Sequence, residues 1–176
     1  QTDGSDTGLK IDGTAGTQTP ILSSASSTGA RTHMTFCNSN GEIGFIKTTN
    51  SATSFLTSSD YRLKENVNYT WDATTRLKQL KPARFNFIAD DTTTIDGFLA
   101  HEAQAVVPDC VTGNKDAVKP EVLYVEGDVL PEGKSVGDVK TASAPDYQGI
   151  DQSKLVPLLV KTIQELEARI TALEDA

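Results

Sequence analysis

The first 58 residues contain too little apolar surface in any one place to build a core from a single chain. The segment is rich in Gly, Ser, Thr and Asn, and its apolar residues form short clusters at 9–11, 21–22, 34–36 and 43–46. Turn residues such as Asp12-Gly13 and Asn40-Gly41 separate the clusters, and Asn-Gly between alternating apolar residues indicates a β-hairpin. Strands this short need other strands to cover them. The segment is therefore either loose, or several copies of the chain pool their strands, as fibrous trimers do.

Composition excludes several classes of function. The formal net charge is −8 at pH 7, with 16 Lys and Arg against 24 Asp and Glu, which argues against a nucleic-acid partner because phosphate recognition needs concentrated positive charge. The apolar run 155–160 is interrupted by Pro157 and is too short to span a membrane. Cys37 and Cys110 form no CxxC motif and no His/Cys cluster, so we expect free thiols and neither metal nor cofactor. The chain begins with Gln, from which we expect a piece of a longer protein or a processed product.

Residues 59–118 are predicted to form a compact α+β unit. The expected elements are a helix at 73–80 that Asp72 caps and Pro82 ends, a strand at 83–89, a polar turn at 90–94, a strand at 95–100, and a helix at 101–107 that Pro108 stops. Residues 119–150 are predicted to be a long arm or loop with a short strand at 122–125. Loops of this length are commonly functional or wrapped around a partner.

The last segment, about residues 152–175, has the strongest helical pattern. Asp151 or Ser153 can cap the helix, and Pro157 is tolerated within its first turn. Apolar residues follow at steps of 4, 3, 4 and 3, which is a heptad seam: Leu159, Ile163, Leu166, Ile170 and Leu173. The seam is too short to be stable alone, so it extends an oligomer held elsewhere, or else the helix packs on its own domain. Alternating Ile and Leu favour dimers in isolated coiled coils. In this chain we expect the rest of the fold, and not the seam, to set the number of helices that associate.

Ser59 and Lys64 are candidate catalytic residues at the point where the Gly- and Ser-rich β segment gives way to the predicted α+β unit. A serine becomes a nucleophile only when a base takes its proton, and a lysine can be that base if burial or positive charge lowers its pKa. Arg62 is close enough to act in this direction, whereas Glu65 acts against it. Positions five apart in a strand point to opposite faces, so contact requires a turn, a change from strand to helix, or a lysine from a neighbouring subunit.

The chain has no GxSxG elbow and no SxxK motif, so a conventional hydrolase is not indicated. The carbonyl nearest to Ser59 is that of Ser58. Attack there moves the acyl group from nitrogen to oxygen, water cleaves the resulting ester, and Ser59 becomes a new N-terminus. A turn or a helix cap is the alternative interpretation of Ser59-Asp60 before a basic run.

Four stretches, taken in order, resemble the C-terminal intramolecular chaperone domain of bacteriophage tailspikes and tail fibres, the endosialidase-type autoproteases. They are SDYRLKENV at 59–67, LKPARFNF at 80–87, GFLAHEAQAVVP at 97–108 and IDQSKLVPLLVK at 150–161. The third resembles the family's Gly-Phe-Ile-Ala-Gln-Glu run, and the fourth its terminal helix. Four motifs in the right order are far more specific than any one of them.

The resemblance implies a homotrimeric α+β protein in three parts. Residues 1–58 correspond to the intertwined end of a stalk like a triple β-helix, residues 59–176 to the compact chaperone domain with its arm, and about 152–175 to a C-terminal helical bundle or short coiled coil. The implied function is to trimerise and fold the stalk of the same polypeptide, and then to release the chaperone by self-cleavage. The implied partners are the other two copies and the upstream stalk, with no nucleic acid, membrane or cofactor. Synthesis is expected in the host bacterial cytoplasm, with the mature stalk on the virion tail.

The family pattern assigns Ser59 as nucleophile and Lys64 as base, with the cut between Ser58 and Ser59. His101 and Glu102 are possible supporting residues. The family's run has Gln where this chain has His101, and a structural hydrogen bond at a helix N-terminus explains His101 equally well.

Other interpretations remain open. A trimerisation cap that stays on the fibre and a receptor-binding tip that uses the 119–150 arm are the alternatives. A membrane-anchored transcription factor with a related module ranks below them, because the chain shows neither an apolar span nor a basic region.

Overall fold

The computed structural model describes residues 23–176. The chain divides into two compact units, Gln1–Val67 and Asn68–Ala176, which are described separately below. The apolar clusters predicted as strands at 9–11 and 21–22, and the turn at Asp12-Gly13, lie outside the described residues. The proposed division of the chain at 58/59 stays a prediction.

The first unit contains a three-stranded antiparallel sheet in the order β1-β2-β3. The strands are β1 (Arg31–Asn38), β2 (Gly41–Thr49) and β3 (Ala52–Thr57). The predicted hairpin is confirmed: the turn Ser39-Asn40 joins β1 to β2, and β2 begins at Gly41, whose φ of 96° suits glycine and few other residues. Gly44 in β2 is also required, because a Cβ there would lie 2.6 Å from the Leu56 carbonyl oxygen.

This sheet does not bury its own apolar side chains. Met34, Phe36 and Phe55 expose 45%, 47% and 77% of their surfaces. Within residues 23–67, Gly44 is the one residue that is buried. The sheet therefore has apolar surface that nothing within the described part of this unit covers, as the small size of the apolar clusters predicted.

The second unit is α+β, as predicted. Its helices are α1 (Ala73–Leu77), α2 (Ala100–Gln104) and α3 (Val156–Glu174). Its strands are β4 (Ala83–Phe87), β5 (Asp90–Gly97), β6 (Val111–Thr112), β7 (Val118–Lys119), β8 (Val122–Leu123), β9 (Val139–Thr141), β10 (Ala144–Pro145) and β11 (Gly149–Ile150). One-turn 3-10 helices at Pro108–Cys110 and Gln152–Leu155 precede β6 and α3.

The core of this unit is small and lies between its helices. The buried apolar residues are Ala73, Ala103, Val107, Cys110, Val111, Leu155 and Leu158. Trp71, Leu77 and Phe98 pack against them while remaining partly exposed. Both cysteines are free thiols, with Cys37 exposed and Cys110 buried, and burial raises the pKa of Cys110.

The β4–β5 hairpin differs from the prediction in the position of its turn. The sequence predicted a strand to residue 89 and a turn at 90–94, but the turn is Ile88-Ala89 and residues 90–94 begin β5. Within the start of β5, Asp90 accepts hydrogen bonds from the backbone N–H groups of Thr92 and Thr93 at 3.2 Å. The β-branched threonines that follow favour a strand, and this preference outweighs their polarity.

The helix boundaries also differ. Asp72 caps α1 as predicted, accepting from the Thr75 N–H at 3.0 Å, but the helix ends at Leu77 and not at residue 80. Helix α2 takes in Ala100, which was assigned to the preceding strand, and ends at Gln104, before residue 107. Element ends are fixed by backbone hydrogen bonds that composition alone does not specify.

The predicted arm is a long two-stranded ribbon. Strand β6 pairs with β11, β7 with β10, and β8 with β9, each antiparallel, so successive pairs are nested along one hairpin. The strand predicted at 122–125 is present only as Val122–Leu123. Val129 at the far end of the ribbon and Tyr147 between β10 and β11 expose 93% and 85% of their surfaces.

Helix α3 has two apolar faces. One face, with Leu155 just before the helix and Leu158 and Thr162 within it, is buried, and α3 packs on α1. The other face is the heptad seam, which is exposed along its whole length: Leu159 44%, Ile163 65%, Leu166 42%, Ile170 56% and Leu173 78%. Packing on its own domain, the alternative for this helix, therefore uses a different face and leaves the seam uncovered. Within residues 23–176, no helix has the length and apolarity needed to cross a membrane.

Glu165 joins the two helices by capping α1 from α3. Its carboxylate accepts from the backbone N–H groups of Ala73 at 3.0 Å and Thr74 at 2.8 Å, and from the Thr74 hydroxyl at 2.6 Å. These bonds satisfy N–H groups that the first turn of a helix leaves without partners. They lower the pKa of Glu165, chiefly through the Ala73 N–H, while the charge of Asp72 acts in the opposite direction.

Candidate active site

The peptide bond between Ser58 and Ser59 lies where the chain leaves the sheet. Strand β3 ends at Thr57, and the Ser58 N–H still donates to the Ile43 carbonyl of β2 at 3.0 Å. Strand β3 has already ended, and Ser59 is exposed. The sheet therefore holds the residue on the amino side of this bond, while the residue on the carboxyl side is free to turn.

A single turn of 3-10 helix, Tyr61–Leu63, brings Lys64 back to Ser59. The Leu63 N–H donates to the Asp60 carbonyl at 3.2 Å, and the Lys64 N–H to the Tyr61 carbonyl at 3.1 Å. The Lys64 Nζ then donates to Ser59 Oγ at 2.7 Å. Of the three ways in which positions five apart could meet, the contact in this structure uses a turn within one chain.

Arg62 does not act on Lys64 in the way that the sequence suggested. Its guanidinium forms a two-bond pair with the Asp60 carboxylate, with Nε donating to Oδ1 and Nη2 to Oδ2, both at 2.9 Å. The positive charge that was expected to repel the Lys64 amine is therefore compensated by its own neighbour. The Arg62 side chain lowers the pKa of Asp60, and Asp60 raises that of Arg62, so both groups stay charged.

The Ser59–Lys64 pair is exposed to water in the single chain. In this arrangement the lysine is the donor and the serine oxygen the acceptor. General-base chemistry requires the reverse, with a neutral amine that accepts the hydroxyl proton.

His101 and Glu102 lie in the second unit, in the first turn of α2. Both are partly buried, and the Lys81 Nζ donates to Glu102 Oε1 at 3.1 Å. The supporting role suggested for them stays a prediction. The part of the chain from Ser23 onward contains no group of three or more His, Cys, Asp or Glu placed to hold a metal ion.

Two features of the site were missed in the sequence. The first is the anchoring of Ser58 to Ile43, which depends on a long-range strand pairing that sequence spacing cannot reveal. The second is the pairing of Asp60 with Arg62. A side-chain oxygen of Asp that accepts a backbone N–H two residues on is a common turn, so the Asp-x-Arg spacing contained a usable signal.

These features together define a class of protein: a β-rich unit whose last residues present a serine to a lysine, followed by a small α+β unit. Residues 59–112 match the family model described as chaperone of endosialidase, a family that is named as a peptidase. This segment thus carries a domain of the endosialidase-type intramolecular chaperone family. No curated protein matches the chain.

Proposed function

We propose that this chain is a trimeric intramolecular chaperone that folds the stalk preceding Ser59 and then cuts itself off. The observation that carries the proposal is the 2.7 Å hydrogen bond between Lys64 Nζ and Ser59 Oγ, at the first residue of the matched family segment. A serine at this position has its own peptide bond as the nearest carbonyl. No separate substrate pocket is needed, and the reaction occurs once per chain.

In the proposed reaction, Ser59 Oγ attacks the carbonyl carbon of Ser58. The hydroxyl proton passes to the neutral Lys64 amine and from there to the departing backbone nitrogen of Ser59. The carbon–nitrogen bond breaks, and an ester joins the Ser58 acyl group to Ser59 Oγ. Water then hydrolyses the ester, which leaves a carboxylate on Ser58 and restores the hydroxyl of Ser59, now the N-terminal residue.

The anchoring of Ser58 supports this site of cleavage. The hydrogen bond from the Ser58 N–H to the Ile43 carbonyl holds the acyl side of the scissile bond on the sheet. The 3-10 turn holds the nucleophile and the base. Fixing both reacting parts replaces a loose encounter by an oriented one, which is a large source of rate enhancement in enzymes. The reaction would then depend on correct pairing of β2 with β3, so that a misfolded stalk is not released.

The trimeric state is supported by the apolar surface that each unit leaves uncovered. The α3 seam is exposed at every position, and the sheet of the first unit exposes Phe55 and Met34. Three chains held together at their C-terminal ends raise the effective concentration of the strands that must pair. Such strands have high contact order and fold slowly without a registered start.

The proposed setting follows from this role. The chain is made in the cytoplasm of a host bacterium, the stalk becomes part of the virion tail, and the chaperone part is released. The arm, whose far end exposes Val129, is available to contact the stalk during assembly.

A second candidate is a trimerisation cap that is never removed. The exposure of Ser59 and Lys64 and the donor role of the lysine favour it, because an exposed ammonium does not take a proton. The two candidates separate when the wild type, Ser59→Ala and Lys64→Ala are purified side by side and compared on a denaturing gel. Self-cleavage predicts two fragments in the wild type and one intact band in each variant, whereas a permanent cap predicts the same intact band in all three.

A further inference from the structure

The contact between Ser59 and Lys64 depends on a turn that is very short. The 3-10 helix contains three residues, Tyr61–Leu63, and none of them is buried. Isolated 3-10 turns of this length are weak, because their hydrogen bonds are poorly aligned and exposed to water. Something other than core packing must therefore hold the turn closed.

The Asp60 carboxylate supplies that restraint. Its Oδ1 accepts from the Arg62 backbone N–H at 2.9 Å, which caps the turn. The same carboxylate also accepts hydrogen bonds from Nε and Nη2 of the Arg62 guanidinium. Backbone and side chain of Arg62 are thus held by one carboxylate, which fixes the start of the turn that ends at Lys64.

We propose that Asp60 and Arg62 are positioning residues for self-cleavage, acting through the turn that places the Lys64 amine on the Ser59 hydroxyl. The inference rests on the proposed function and adds to it the pair that pre-organises the site. Neither residue touches the scissile bond in this role. When the turn opens, Lys64 leaves Ser59, and the cleavage rate falls in proportion to the fraction of chains in which the turn is closed.

Exposed ion pairs contribute little to global stability, which makes the proposal testable. The Arg62 and Asp60 side chains are 74% and 39% exposed, so their loss should leave assembly almost unchanged. The cleavage rate should nevertheless fall by about 2- to 30-fold, the range expected for losing a capping side chain. A purely structural role would instead change the amount of trimer and leave the rate constant of each assembled trimer as it was.

The experiment refolds the full chain from denaturant and measures the first-order rate constant of fragment formation by intact mass spectrometry. The variants are Asp60→Ala, Asp60→Asn, Arg62→Ala and the double variant Asp60→Ala/Arg62→Ala, with trimer content measured in parallel. Asp60→Asn keeps an oxygen for the Arg62 N–H but loses the ion pair, so its rate should lie between those of Asp60→Ala and the wild type. The double variant should be no slower than the slower single variant, because the two side chains act as one unit.

The matched control is Asp96→Ala. It breaks a bidentate pair of the same geometry, Arg84 with Asp96, in the β4–β5 hairpin of the second unit, where the two side chains are 72% and 71% exposed. This variant should cleave at the wild-type rate. The pH dependence of the rate adds a further readout: positioning predicts a profile for the double variant Asp60→Ala/Arg62→Ala, which removes both charges, that is lower but has the same midpoint as that of the wild type.

The outcomes separate the inference from the function on which it rests. Wild-type cleavage rates in both Asp60→Ala and Arg62→Ala overturn the inference alone, as does an equal loss in Asp96→Ala. A variant that fails to trimerise is replaced by Asp60→Asn, for which an unchanged rate is equally decisive. An uncut wild type, or a cut Ser59→Ala, overturns the proposed function and the inference together.

Discussion

Lys64 can serve as a base only after it has lost a proton, because in this structure its ammonium donates to Ser59 Oγ. The side chain that would normally take this role, histidine, is not within the 59–67 motif. The proposed chemistry therefore depends on the neutral amine, whose fraction increases with pH.

We expect the rate constant of self-cleavage to rise with pH from neutral to alkaline conditions. Lys64→Arg is the matched variant, since arginine retains a donor of similar reach but stays protonated in proteins. It should be slower by about 100-fold or more, the range for removal of a general base. A rate independent of pH, or an active Lys64→Arg, would contradict the assignment of Lys64 as base.

Glu165 provides a second test on single residues, this time of stability. Its pKa is lowered from 4.5, so its carboxylate stabilises the folded state above that value, and this contribution disappears as the pH falls through the lowered pKa. Glu165→Gln should therefore unfold at lower denaturant concentration than the wild type at neutral pH, and the difference should shrink below pH 4.5.

The control for this prediction is Glu167→Gln, an exposed glutamate on the same helix. It removes the same charge without removing a cap of α1, so its unfolding midpoint should stay close to that of the wild type. Equal effects of the two variants, or an effect of Glu165→Gln that persists unchanged into acid, would show that the bonds to Ala73 and Thr74 contribute nothing.

Among the elements, α3 shows which structural features the sequence pattern predicted and which it did not. The steps of 4, 3, 4 and 3 identified the seam, and the structure leaves this seam exposed. The pattern did not reveal the second face, which buries Leu155, Leu158 and Thr162 in the helix packing, because a face this short has no repeat of its own. Local signals such as Asp72 before α1 and Asn40-Gly41 between strands were correct, since each depends on bonds within a few residues.

Other elements were predicted with the wrong boundaries for a physical reason. Polar Asp90 to Thr94 resembled a turn, but threonines are β-branched and the ladder with β4 places them in a strand. The Ser59–Lys64 contact could be named only as one of three geometries, because a spacing of five requires a turn that the Asp60–Arg62 pair closes. Anchoring of Ser58 to Ile43 depends on tertiary pairing and had no local signal.

The exposed seam leads to a prediction about assembly. Ile163→Glu places a charge in the middle of the seam, whereas Ala168→Glu places the same charge on an exposed position of α3 outside it. In a Ser59→Ala background, Ile163→Glu should reduce the trimer to monomers at micromolar concentration, because burying an unpaired carboxylate is strongly unfavourable. Ala168→Glu should stay trimeric. Light scattering after size exclusion measures the oligomeric state of both variants. A trimeric Ile163→Glu would show that the seam is not part of the trimer interface.

For the whole molecule, the proposed cleavage would convert a chain that can refold into one that cannot. Before the proposed cut, each stalk strand would be attached to a domain that gathers three chains. After it, the stalk would rely on slow unfolding and not on easy refolding. The proposal thus gives a physical reason for a folding aid to contain the means of its own removal.

This account predicts a difference in reversibility. Uncut Ser59→Ala trimers should regain their sheet structure after denaturation and dilution, whereas the separated wild-type stalk should not. Circular dichroism and cross-linking before and after one cycle measure the recovery. Equal recovery of the two proteins would mean that the chaperone domain is not needed to register the strands.

The central claim is that Ser59 cuts the bond on its own amino side, and intact mass spectrometry of the wild type and Ser59→Ala tests it most directly. Refolding in water enriched in oxygen-18 labels the carboxylate formed when the ester is hydrolysed. The account predicts two wild-type fragments, one ending at Ser58 with the label and one beginning at Ser59 without it, and an uncut Ser59→Ala. A wild type that assembles into trimers and stays whole, or a Ser59→Ala that is cut at the same bond, would contradict it.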